Sequence, residues 1–169
     1  ILDLVSQRGC PIVLMHRLRQ PEDDSFSDQY ESPPEYDDVV VSVVDFLGAR
    51  AMEAQARGIA AEKIVLDPGL GFGKSVEQNL ALVTRIDEIV ALGYPVLLGA
   101  SRKSFLGAIG GGENPVDRGI ASIVMAIEAW KGGVSILRVH EPGPHLEGLK
   151  AARSIMSHDG DRPATIPSP

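Results

Sequence analysis

The residues able to do chemistry fall into three clusters, each directly after an apolar run. Asp67-Pro-Gly-Leu-Gly-Phe-Gly-Lys74 follows Ile64-Val65-Leu66. Ser101-Arg-Lys-Ser104 follows Val96-Leu97-Leu98, and Arg138-Val-His140 ends Val134-Ser-Ile-Leu137. In the first, Gly69, Gly71 and Gly73 let the backbone turn sharply and approach a ligand. Asp67 can accept two parallel hydrogen bonds from a ring with adjacent N–H and NH2 groups. Phe72 could stack on such a ring or on a second aromatic substrate. Lys103, flanked by the Ser101 and Ser104 hydroxyls and preceded by Gly99 and Ala100, suits a carboxylate or phosphate. Arg138 and His140, two apart on a strand, point the same way and make an anion site, while Leu137 and Val139 point to the other face. His16, after Met15, reads as a structural strand-end histidine, and His145 and His158 read as exposed and idle.

Four apolar runs of strand length, 11–16, 63–67, 95–100 and 134–140, must position these groups. Helical patterns lie between them. From Asp38 to Arg57 apolar residues recur at helical spacing, with Gly58 as the stop. Ser75-Val-Glu-Gln78 is a capping box. It opens a helix whose stripe is Val76, Leu80, Val83, Ile86 and Val90, ending at Gly93. Asn114-Pro115 starts another, with Ile120, Ile123, Val124, Ile127 and Trp130 as its buried face and Gly132-Gly133 as its stop. A last helix spans about 144–156. Apolar strands joined by helices imply an α/β fold with a parallel sheet. A doubly wound sheet would satisfy the pattern. The polar strand ends favour a (β/α)8 TIM barrel, of which this chain supplies the last four β/α units.

The 169 residues suffice for one core. The expected division is 1–156 as the barrel half and 157–169 as a polar, Pro-rich, disordered tail. Residues 17–38 carry Glu22, Asp23, Asp24, Asp28, Glu31, Glu35, Asp37 and Asp38 against Arg17 and Arg19, and read as a mobile, solvated loop. A net charge of −7 argues against nonspecific nucleic-acid binding. No apolar run approaches the ~18 residues of a membrane span, and a cytoplasmic location is the default. Cys10 reads as a buried structural thiol, and no metal-ligand spacing joins Cys and His. Ile1-Leu-Asp-Leu-Val5 looks like a helix already under way, which suggests that an N-terminal part precedes it.

Leu14-Met15-His16, the Asp67–Lys74 loop, Ser101–Ser104 and Arg138–His140 resemble, in order and spacing, the motifs of the dihydropteroate synthase family. The likeness runs from Ile1 to about Met156. It implies a (β/α)8 barrel and a transferase of folate biosynthesis: para-aminobenzoate displaces pyrophosphate from a dihydropterin-methyl diphosphate. Carried over, Asp67 would hold the pterin's ring N–H and amino group. Lys103 would donate to its carbonyl and ring nitrogen, and Met15, Phe72 and Gly99 would line its slot. Ser101, Ser104 and Phe72 would border the para-aminobenzoate and sulfonamide site. Arg138 would stack on the pterin and, with His140, hold the diphosphate. The catalytic set is thus Lys103, Arg138 and His140. Mg²⁺ would assist, through an Asn of the family's N-terminal half, so no metal ligand is expected in this chain. The full-length protein would be a homodimer acting on small molecules.

Two departures stand out. Arg17-Leu18-Arg19 and a long acidic loop replace the family's Met-Gln-Gly or similar. The first four strands, with half the site, have no counterpart here, so this chain alone is expected to be inactive and to expose sheet edges. A pterin-binding methyltransferase barrel is the alternative enzyme, but it has no diphosphate for Ser101–Ser104 and Arg138–His140 to hold. A non-catalytic half-barrel is the alternative without chemistry; the matched pocket residues oppose it.

Overall fold

A computed structural model describes residues 1–18 and 20–158. Most of the expected tail, 159–169, and Arg19 lie outside the described residues. The four expected strands form, in shorter versions: β1 (Ile12–Met15), β2 (Ile64–Asp67), β3 (Leu97–Leu98) and β4 (Ile136–Leu137). All pair in parallel. β1 runs in register with β2 from Ile12↔Ile64 to Met15↔Asp67, and β3 with β4 from Leu97↔Ile136. A parallel bridge, Leu66↔Val96, joins the two pairs. The order is therefore β1-β2-β3-β4, and the backbone contacts His16 N–H to Asp67 and Arg138 N–H to Leu98 carry the pairing just past the strand ends. The chain is α/β, with an open rather than a closed sheet: β1 and β4 each have one strand neighbour among the described residues. Val13 on β1 and Ile136 on β4 are exposed at those two edges.

Helices fill the intervals: α1 (Leu2–Arg8), α2 (Val39–Ala56), α3 (Val76–Thr84), α4 (Ile86–Val90), the single turn α5 (Ser104–Leu106), α6 (Gly119–Lys131) and α7 (Pro142–His158). Asp38 caps α2 by accepting from Val40 N–H and Val41 N–H. Val40, Val43, Leu47, Ala51 and Ala54 then bury one face of α2, at the three- and four-residue spacing expected of it. Gly58, at φ 85°, ends the run as expected. The Ser75–Gln78 capping box opens α3 with both reciprocal bonds formed. Ser75→Ala should therefore cost about 1 kcal/mol of stability, measurable by chemical denaturation of the full-length protein. No change would mean that Gln78 alone holds the turn.

Several expectations need correction. The single stripe over 76–90 is two helices, because Arg85 leaves the helical region (φ −117°, ψ 29°) and pairs with Glu88 and Asp38. On α6 the buried face is Ser122, Met125, Ala126 and Ala129, while Ile120 and Val124 are exposed. That helix is apolar on most sides, so periodicity did not select its inner face; the small residues allow close packing. Ile123 and Ile127 instead meet α7 near Gly148. Cys10 is exposed, because Gly9 ends α1 in the left-handed conformation and releases the chain before β1 begins. His145 is buried, with Nδ1 on the carbonyl of Glu141, the residue just before α7. Ser157 and His158 are helical rather than part of a tail. No helix of the described residues is long and apolar enough to cross a membrane.

Candidate functional site

β2 delivers Asp67 to the sheet end, where it is 1% exposed. Its Oδ1 accepts from Gly69 N–H at 2.8 Å. Its Oδ2 is buried without a hydrogen-bond partner and lies 3.5 Å from Arg138 Nη2. Burial raises the carboxyl pKa, while the Gly69 N–H and the charges of Arg138, Lys103 and Lys74 oppose that shift. The result is a desolvated acceptor held open among cations.

The loop after Asp67 folds because each of its turns requires glycine. Gly69, Gly71 and Gly73 all have φ between 60° and 78°, where other residues are strained. A Cβ on Gly69 would sit 1.9 Å from the His16 carbonyl oxygen, so β1 and this loop could not approach otherwise. The loop's polar backbone is satisfied internally. Gly71 N–H donates to Asn79 Oδ1, Phe72 N–H to the Gly69 carbonyl and Gly73 N–H to Asp24 Oδ1. The loop therefore offers no free cradle of these N–H groups to a phosphate; its contribution is the Phe72 ring and the close approach at Gly71.

Lys74, which sequence reasoning passed over, holds the loop together. It is 0% exposed, and its Nζ lies 3.0 Å from His16 Nδ1, 3.0 Å from the Gly69 carbonyl and 2.9 Å from the Phe72 carbonyl. An ammonium has three donors, and three acceptors surround it. Burial pulls the Lys74 pKa down to about 7, against the Asp67 and Asp24 carboxylates. His16, 5% exposed, is lowered to about 4 by burial and by Lys74. It is thus a buried neutral acceptor, structural as expected. The sign follows: between pH 6.5 and 4 the unfolded chain binds a proton that folded His16 does not. Stability should fall as pH drops through that window, by up to about 3 kcal/mol. Denaturation of wild type and His16→Gln at both limits would check it; equal acid losses would remove His16 as the cause.

The loop 17–38 is not simply solvated. The Asp24 side chain is 5% exposed; besides Gly73 N–H it receives Tyr30 Oη–H on Oδ1 and Arg17 Nη2–H on Oδ2. Ser27 is buried on Asn79, Gln78 donates to the Pro34 carbonyl, and Tyr36 Oη–H to the Gly73 carbonyl. Acidity suggested a mobile loop, but Asp24 has spent its charge on partners within the fold.

Around this frame the structure gathers several of the expected residues. Lys103 Nζ stands 3.7 Å from the Phe72 ring centroid, and Arg17 Cζ stands 4.9 Å from it. Burial, with Arg138, pulls the Lys103 pKa down. Arg138 crosses Gly99, where a Cβ would come 2.4 Å from Nη2. His140 Nδ1 lies 3.0 Å from Ser101 Oγ. Arg138 and His140, expected to act as one pair, thus engage different partners, because β4 ends at Leu137 and the chain bends after it. Met15 is half-buried at the end of β1. A cleft of about 450 Å³ is lined by Phe72, Lys103 and Ser104 together with Phe26 and Gln29. Ser101 is not on its wall.

Residues 1–140 match the family model described as pterin binding enzyme. The chain is 39% identical over 153 residues to the dihydropteroate synthase of Neisseria meningitidis serogroup C, covering 90% of this chain and 52% of that protein. Dihydropteroate synthase from Stenotrophomonas maltophilia, with active site-bound imidazole, superimposes with a TM-score of 0.84 at 35% identity, over 92% of this chain and 57% of that one. The Thermus thermophilus enzyme in complex with 6HMPPP gives 0.78 at 40% identity, over 91% and 56%. The chain spans about half the length of these relatives.

Proposed function

The chain belongs to the pterin-binding enzyme family, and we propose that it supplies the last four β/α units of a dihydropteroate synthase barrel. The open edges of β1 and β4 support the placement. The observation that carries the function is Asp67: a buried carboxylate at the sheet end whose Oδ2 makes no hydrogen bond and lies 3.5 Å from Arg138 Nη2. Such an acceptor suits a pterin's ring N–H and amino group. Arg138, 56% exposed, can lift from Asp67 and stack on the ring over Gly99. Lys103 donates to the pterin's carbonyl edge, with Met15 and Phe72 as walls. Ser104 and Phe72 face the para-aminobenzoate, while Ser101 orients His140 toward the diphosphate.

In the reaction the aryl amine attacks the pterin methylene and the C–O bond to diphosphate breaks. Negative charge grows on the leaving group, and Arg138, Lys103 and His140 stabilise it. The pterin stabilises the cation, so no protein nucleophile is required. The described residues offer Mg²⁺ no ligand set of their own, and the resemblance gives its Asn to the family's N-terminal half. Among the described residues no three His, Cys, Asp or Glu side chains converge, and cations face Asp67. No step is therefore assigned to the metal here. The full-length protein would act in the cytoplasm as a homodimer, for which exposed Ile120 and Val124 on α6 offer an apolar face.

The test is pyrophosphate release by the full-length protein from dihydropterin-methyl diphosphate and para-aminobenzoate. Turnover is expected there and not from residues 1–169 alone. A complete barrel without release would sink the proposal.

A further inference from the structure

The long acidic loop has a place in the site that the resemblance does not assign. Its segment Asp24–Gln29 lies between two adjoining clefts. One, about 450 Å³, is lined by Phe26, Gln29, Phe72, Lys103 and Ser104, with Arg102 and Arg118 as well as Asp28 and Glu113 on its wall. The other, about 310 Å³, has Arg17 and Asp24 with the same Phe26, Gln29 and Phe72. Phe26 is 64% exposed, so its ring is available to a ligand. Its position is nonetheless held from both sides. Asp24, two residues before it, is tied to Gly73, Tyr30 and Arg17. Ser27, directly after it, is buried on Asn79. A large aromatic residue left exposed between two pinned neighbours, over a cleft with an aromatic wall and an ammonium, has the form of a ring-binding wall.

We propose that Asp24–Gln29 forms a wall of the aryl-amine pocket, with Phe26 as its contact residue, and limits the aryl amines accepted to single rings carrying a carboxylate. The proposal rests on the dihydropteroate synthase reading. Phe26 and Phe72 bound the ring by apolar contact, and the Ser104 hydroxyl donates to the carboxylate. Asp24 acts as a positioning residue: it touches no substrate but holds the wall in place through Gly73, so wall and glycine loop move together. Arg17 ties Asp24 to the Phe72 ring.

The experiment compares wild type, Phe26→Ala and Asp24→Asn of the full-length protein. It measures kcat and KM for para-aminobenzoate and for a sulfonamide with a second ring, and the Kd of the pterin diphosphate alone. Phe26→Ala should raise the KM for para-aminobenzoate about tenfold, the effect of losing apolar contact in a pocket. The sulfonamide should gain relative to para-aminobenzoate, and the pterin diphosphate Kd should stay within about twofold, since an apolar contact acts only on the ligand it touches. Asp24→Asn should reproduce the change in selectivity. Because Phe26 is exposed, its variant should fold even if Asp24→Asn does not. Turnover by wild type with an unchanged ratio of the two amines in Phe26→Ala overturns the wall while leaving the function standing. An equal loss of pterin-diphosphate affinity also overturns it, since the loop would then serve general stability. No pyrophosphate release from wild type with either amine overturns both readings.

Discussion

Lys74→Met is expected to destabilise the full-length protein by about 3–5 kcal/mol, the scale of breaking a buried charged network. The reason is the acceptor count. His16 Nδ1 and the carbonyls of Gly69 and Phe72 all point at one nitrogen in a site closed to water. Removing that nitrogen strands three acceptors, two of them buried at about 1–3 kcal/mol each. The desolvation recovered with the lost charge offsets part of this. Lys74→Arg should not rescue it, because a planar fork cannot meet three acceptors arranged around a point. Thermal unfolding checks the expectation: Tm should fall by on the order of 10 °C. A loss below about 1 kcal/mol would mean that water takes the place of the ammonium. The same substitution frees the Phe72 carbonyl, so it should loosen the aromatic wall of the site as well as the fold.

Arg138→Ala and Lys103→Ala should each lose about 2–4 kcal/mol of transition-state stabilisation, or roughly 30- to 1000-fold in kcat/KM. Both cations converge on the region of Asp67: Arg138 Nη2 is 3.5 Å from Oδ2, and Lys103 sits over Phe72. The two variants should differ in stability. Arg138 is more than half exposed, and its loss should leave the fold nearly intact. Lys103 is half-buried, and its loss removes a cation from an aromatic face. Steady-state kinetics on the full-length protein decides the matter, and unchanged values in both variants would remove the site assignment. Their effects should be non-additive, because both cations act on Asp67 and repel each other.

Much of this arrangement was legible in the linear chain because it is governed by neighbours. The Ser75–Gln78 box and the Gly58 stop depend on bonds spanning three to five residues, and both appear as expected. The strands also appear where apolar runs end in polar residues, and parallel pairing then brings Asp67, Ser101 and Arg138 to one sheet end. That much needs only period and order. The inner face of α6 did not follow from period, because apolar residues lie around most of that helix and only packing against its neighbours selects Met125 and Ala129 over Ile120 and Val124.

What only the tertiary structure decided is which polar groups are spent and which remain open. Lys74 and His16 are 58 residues apart, and Asp24 and Gly73 are 49 apart. An aspartate in an acidic stretch reads as a solvated group, and a lysine closing a glycine loop carries no local signal of its role. Each instead became a strut, because the chain between them folds back and the glycines let the two backbones touch. By itself the sequence determined the α/β order and the identity of the charged strand ends. The fold determined that Lys74 and Asp24 are consumed in holding the loop, whereas Asp67 Oδ2 is left buried without a hydrogen bond, and a buried acceptor with its hydrogen bonds unmade is what turns a carboxylate into a binding site.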